Sequence, residues 1–220
     1  FLLNIKYKFL KRGKAMLKEL SVKGFVYETS SDSPAPGGGS VAALSAATSA
    51  ALIEMVANLT IGKKGYEEVT ADMEKVKASA KEYKEKFINY IDEDSNSFNK
   101  IMEAFKLPKE TEEEKALRTK TVQLAFKGAA NVPLNVGKDA FELLELAKTV
   151  ILKGNQNAVT DGAVAAMQAR TAVHGAFYNV KINLGSIKDE EFVKDAQKQM
   201  EEIESKVDTI EKEILSKVSL

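Results

Sequence analysis

The chain has 220 residues, 44% hydrophobic and 29% charged, enough for a sizeable core and ordinary for a water-soluble fold. Its 32 Lys and Arg balance its 32 Asp and Glu, so no overall field recruits nucleic acid or an anionic membrane. Cysteine is absent, which excludes disulfides, thiolate metal ligands and a cysteine nucleophile, and His174 is the single histidine, so a multi-histidine metal site is poorly supplied; the expectation is a cytoplasmic protein.

Residues 1–15 are basic and apolar, but lysines at 6, 8 and 11 interrupt the apolar stretch and no small-residue cleavage site follows. They are expected to be an N-terminal extension, with Met16 opening a single helical domain over 16–220. After a short segment around Leu17 to Tyr27, "ETSSDSPAPGGGS" has turn and loop composition. Ser40 is placed to cap a helix from Val41 to about Thr60, closed by "GKKG" at 62–65. That helix carries Ser45, Thr48, Ser49, Glu54 and Asn58 and is rich in alanine, so it reads as a central core helix and not a membrane span.

Val69, Met73, Val76, Ala80, Tyr83 and Phe87 then recur at spacings of three and four, and Ile91, Asp94, Phe98, Ile101 and Phe105 continue them after one extra step of four. This predicts one long helix with a stutter, or two coaxial ones, ending before Pro108. Thr111 and Glu114 form a capping box for the next helix, which Pro133 is expected to kink or interrupt; a second segment runs from about Leu134 to Leu152. A second Ala-rich helix reaches Leu184, and Ser186 with Asp189 starts a last helix striped by Phe192, Ala196, Met200, Ile203, Val207, Ile210 and Ile214. The fold class expected is all-α, a bundle of about five long, mostly antiparallel helices.

Three features point to chemistry. Gly37, Gly38 and Gly39 stand at the start of a helix, where backbone N–H groups are unsatisfied and the helix dipole favours an anion. No strand precedes them and no P-loop pattern is present, so they form either a flexible connection or a backbone surface for a ligand. Asp94 occupies a position where its stripe calls for a hydrophobe, and Asp161 lies in the first turn of a small-residue helix. Such carboxylates either serve helix ends or, when desolvated, move protons and stabilise a cation. Asn58, Asn155, Asn157, Asn179 and Asn183 cluster at the ends of the Ala-rich helices, suited to capping or to the amide-like edge of a heterocycle. Lys63 and Lys64 read as a solvated helix-end pair or a seat for a carboxylate tail. His174 shares a face with Arg170 and reads as packed and hydrogen-bonded, not catalytic.

"SPAPGGGSVAALSAATSAALIEMVANLT" at 33–60 resembles the cyclodeaminase/cyclohydrolase family, which includes the C-terminal domain of formiminotransferase-cyclodeaminase and stand-alone methenyltetrahydrofolate cyclohydrolases. The likeness continues through "GKKGY", Asp94 with Phe98, "LP" at 107–108, "VPL" at 132–134, "GNQNAVTDGAVAA" at 154–166 and "GAFYNVKINL" at 175–184. The resemblance implies a dimeric helical enzyme on a tetrahydrofolate substrate, acting with no metal and no bound cofactor, alone or with a separate formiminotransferase. By matching position it assigns Pro36, Gly37, Gly38, Gly39, Ser40, Asn58, Lys63, Lys64 and Asn157 to substrate binding. Asp94 and Asp161 become the proton-transferring or cation-stabilising acids. The reaction implied first is formimidoyltetrahydrofolate cyclodeamination, which closes 5,10-methenyltetrahydrofolate and releases ammonia. The alternative is hydrolysis of that methenyl group to 10-formyltetrahydrofolate. A reading of a different class, a helical oligomerisation scaffold, gives no reason for an acid on the apolar stripe.

Overall fold

The computed structural model describes residues 16–219, so the expected extension at 1–15 lies outside the described residues. A short α1, Val22–Thr29, precedes five long helices: α2 Gly38–Asn58, α3 Thr70–Phe105, α4 Glu112–Lys153, α5 Val159–Leu184 and α6 Glu190–Leu215. No strand occurs among the described residues, and the all-α bundle matches the expectation from hydrophobic spacing.

Cross-helix contacts give each pairing its direction. Ser40 meets Asp94 while Glu54 meets Lys84, so α2 and α3 are antiparallel. Arg118 donates to the Phe105 carbonyl and Lys153 pairs with Asp72, so α3 and α4 are antiparallel too. Gly137 packs on Phe177 and Gly162 on Ile151, which sets α5 against α4 in the same sense. The ring closes where α5 returns to α2: Asn179 lies against Gly38, and the Ala165 carbonyl accepts from the Ser49 hydroxyl at 2.7 Å. α6 then lies outside on α4 and α5, clipped by Lys181 to Glu204 and by Arg170 and His174 to Asp208. His174 is thus a packing residue, its Nε2 at 2.8 Å from Asp208 Oδ1.

Small side chains explain the central place of α2. Ala43, Ala46, Ala50 and Ala57 are wholly buried, letting α3 and α5 approach on two sides. By length and composition this helix is apolar enough to cross a membrane, yet much of its surface is spent inside the bundle. It ends at Asn58, and the following turn uses Gly62 and Gly65 at φ 74° and 89°, where a side chain would strain the backbone.

Of the two alternatives for the stripe from Val69, the single helix holds: α3 runs unbroken for 36 residues. The expected second segment from about Leu134 is corrected. α4 runs for 42 residues straight through the buried Pro133. Proline cannot donate to the carbonyl four residues back, that of Ala129. Asn183 of α5 supplies the missing donor instead, its Nδ2 at 3.1 Å from the Ala129 oxygen and 2.8 Å from that of Asn179. Asn183 is therefore a structural residue. Asn183→Leu leaves a buried carbonyl unpaired and is expected to cost about 1–3 kcal/mol, read as a lower midpoint in urea at unchanged m-value. The Thr111–Glu114 capping box is present in both directions at 3.1 Å, and Asp189 caps α6 by accepting from Phe192 N.

Candidate active site

The site is built where α2 begins. Gly37, in extended conformation, is the N-cap, and helical geometry starts at Gly38. Ser40 is thus not the cap that its position suggested: it lies inside the first turn, fully buried, with its side chain turned to α3. Its Oγ is 2.9 Å from Asp94 Oδ2 and 3.0 Å from the Ile91 carbonyl, a single proton between two acceptors. Gly39 presses directly on the carboxylate; a Cβ there would fall inside the contact distance of both Asp94 oxygens. Gly38 meets the Asn179 amide, at 3.0 Å from a built Cβ, and the Asn179 Nδ2 is held by the Gly175 carbonyl at 2.8 Å. Only Gly37 of the three has room for a side chain, which would meet the Pro34 carbonyl at an ordinary contact of 3.7 Å. The triple glycine is therefore a seat as much as a loop.

Asp94 is an acid held in an apolar stripe. Burial pushes its carboxyl above the ordinary carboxylate range, while the Ser40 hydroxyl and N–H pull in the opposite direction without cancelling it. The result is a group able to exchange a proton closer to neutrality than a surface aspartate. On the adjoining face of α3 a cleft of about 750 Å³ opens between α3 and α4, with Ser97, Lys100 and Ala104 on one wall and Leu124 and Gly128 on the other. Its volume suits a drug-sized organic ligand. Nothing in the hydrophobic spacing announced this cleft, because it arises between residues on two helices far apart in the chain.

The remaining predicted residues collect at the other end of the bundle. Asn155 is buried and spends every group internally: its N–H donates to Thr60 Oγ1 at 2.8 Å, its Nδ2 to the Leu59 carbonyl at 3.1 Å, and its Oδ1 accepts from Lys63 Nζ at 2.6 Å and Asn157 N at 3.1 Å. This knot ties the end of α2 to the α4–α5 connection, and Lys63 belongs to it. The side chains of Asn58, Lys64 and Asn157 are exposed around it. Asp161 is half-buried one turn before Ala165, on the α5 face that meets α2. Within one chain it stands roughly 25 Å of helix from Asn179, so Asp94 and Asp161 are not adjacent groups of a single subunit.

The sequence model of the formiminotransferase-cyclodeaminase family matches residues 21–202. The chain belongs to this family. The family match spans the whole glycine seat, Asp94, the Asn155 knot and Asp161. Methenyltetrahydrofolate cyclohydrolase of Methylorubrum extorquens is 39% identical over 181 residues, covering 82% of this chain and 87% of the relative. Formimidoyltransferase-cyclodeaminase of Mus musculus is 35% identical over 176 residues, and there the chain spans only 32% of the relative's length. A crystal structure of formiminotetrahydrofolate cyclodeaminase from Thermotoga maritima superposes with a TM-score of 0.81 at 32% identity, over 92% of this chain and 97% of that one. The family fold is therefore shared along nearly the full described length, whichever of the family's activities the chain carries.

Proposed function

We propose that the chain is a methenyltetrahydrofolate cyclohydrolase, with Asp94 as its proton-transferring acid and the α2 N-terminus as part of the folate seat. The observation carrying this is the half-buried Asp94 carboxyl, held by Ser40 against Gly39, in a chain that matches a cyclohydrolase over 82% of its own length and 87% of the relative's. The substrate is a cation delocalised over N5, the methenyl carbon and N10. Ionised Asp94 stabilises that charge and takes one proton as water adds to the carbon. The tetrahedral adduct collapses with cleavage of the bond to N5, Asp94 returns its proton to N5, and the hydroxyl proton leaves as the formyl carbonyl forms on N10. Positioned proton transfer of this kind contributes ~10²–10⁴ in rate.

A second reading, cyclodeamination of 5-formimidoyltetrahydrofolate, is favoured by the Thermotoga maritima structure, which covers this chain at similar length. There N10 attacks the amidine carbon and Asp94 protonates the departing ammonia. Under this reading the partner is a separate formiminotransferase, since the mouse relative's name joins the two activities in a longer chain. One experiment separates the readings: purified protein is given methenyltetrahydrofolate and its ultraviolet chromophore is followed, beside ammonia release from the formimidoyl substrate. Loss of the chromophore with no ammonia release supports the hydrolase. Neither signal, with no folate-induced rise in melting temperature, sinks both and favours the scaffold.

Lys64 is proposed to hold the glutamate tail, as an exposed cation beside the Asn155 knot. Lys64→Ala is expected to raise KM several-fold at nearly constant kcat, the mark of uniform binding. Lys63→Ala should differ by lowering the melting temperature, because its ammonium is bonded to Asn155.

A further inference from the structure

Two polar side chains interrupt the apolar rows of the helices that flank α2, and both end at its first turn. Asp94 does so from α3, against Gly39. On α5, Ala165, Ala169, Ala172 and Ala176 are wholly buried and advance by four, three and four residues. The next step of three lands on Asn179 and a further four on Asn183, where the row calls for small apolar residues. Asn183 is accounted for by the carbonyl that Pro133 leaves without a donor. Asn179 answers no such gap. Its Nδ2 returns to the Gly175 carbonyl one turn back at 2.8 Å, an oxygen that the α5 backbone ladder already serves.

That bond nonetheless fixes the amide. Turned the other way, Oδ1 would face the Gly175 carbonyl, oxygen against oxygen. Oδ1 is therefore the atom left over, and among the described residues no group donates to it. It is not sealed in the core either: Asp92 Oδ2 is the one buried side-chain oxygen without a partner among the described residues. The amide lies over the first turn of α2, with Nδ2 3.0 Å and Oδ1 3.5 Å from where a Gly38 Cβ would stand. Consecutive residues of a helix point about 100° apart, so Asn179 at Gly38 and Asp94 at Gly39 approach one turn from different sides. They can reach different atoms of one ligand.

We infer that Asn179 is a substrate-binding residue, its Oδ1 accepting a hydrogen bond from a ring N–H of the ligand's heterocycle while Asp94 acts at the reacting carbon. This rests on the folate reading. A reduced pterin carries such donors on its pyrimidine ring, at N3 and the 2-amino group, away from the bridging methenyl carbon. Asn179 thus selects for the pterin end of folate, and Gly38 is small so that the amide can lie beside the helix end. A side chain that merely filled the row would be alanine, as it is at 165, 169, 172 and 176.

Asn179→Ala and Asn179→Asp separate binding from packing. Alanine continues the row and removes the acceptor, so KM for 5,10-methenyltetrahydrofolate is expected to rise about tenfold at nearly constant kcat. The melting temperature of the ligand-free protein should hardly move, which a structural asparagine would not allow. Asn179→Asp keeps an acceptor oxygen, and its KM is expected to fall back towards that of wild type. An unchanged KM in the alanine variant, equal KM values in the two variants, or a fall in kcat and melting temperature at constant KM overturns the assignment while wild-type turnover leaves the folate reading standing. A wild-type chain with no turnover and no folate-induced rise in melting temperature overturns both.

Discussion

Gly39→Ala is expected to abolish turnover by about 10²–10⁴-fold while leaving a folded helical protein, because a single methyl group displaces the Asp94 carboxylate. The space that methyl needs is occupied by the carboxylate itself, and the side chain that must give way is the proposed proton carrier. Glycine is required here by close approach and not by backbone conformation, since Gly39 sits in ordinary helical geometry. The comparison that checks the cause is the double variant. If Gly39→Ala acts by moving Asp94, then Gly39→Ala with Asp94→Asn is no slower than Asp94→Asn alone. Multiplying effects would mean that Gly39 acts by some other route.

Asp94→Asn should lose activity by a similar factor and yet melt higher than wild type at pH 7. The sign follows from the raised carboxyl. Its folded-state value lies above the unfolded one, so the stability due to protonated Asp94 is complete below the ordinary 3.8 and is lost as pH rises through the raised value. At neutrality the ionised group is a cost that the amide does not carry, and Asn still accepts from the Ser40 hydroxyl. Thermal melts of both proteins from pH 4 to pH 8 should diverge as pH rises. The wild-type rate should fall on the acid side at a pH above that of a free aspartate, as the base becomes protonated. A variant that melts lower than wild type across the whole range would show that Asp94 is held there for stability.

What the sequence disclosed was local and periodic. The stripe from Val69 to Phe105 located α3 and marked Asp94 as an intruder, because helical spacing assigns a residue to a face. The Thr111–Glu114 box located the start of α4 through partners three residues apart. Ser40 and Pro133 were misjudged for one common reason. Each looks like a helix-end signal, and each is answered from another helix, Ser40 by Asp94 and Pro133 by Asn183. Spacing within a helix carries no information about such distant partners. The resemblance likewise joins Asp94 and Asp161, since it names residues without saying which end of the bundle supplies them.

The proline in α4 has a bearing on how the bundle opens. With Pro133 in place, the middle of α4 is fully hydrogen-bonded only while Asn183 of α5 lies alongside it. A helix that borrows a donor from its neighbour is not self-sufficient, so separating α5 from α4 breaks a backbone ladder as well as a packing contact. Amide hydrogens in the middle of both helices should then exchange with solvent together, as one cooperative unit, and not helix by helix. The α4 wall of the cleft beside Asp94 belongs to that unit and cannot loosen on its own.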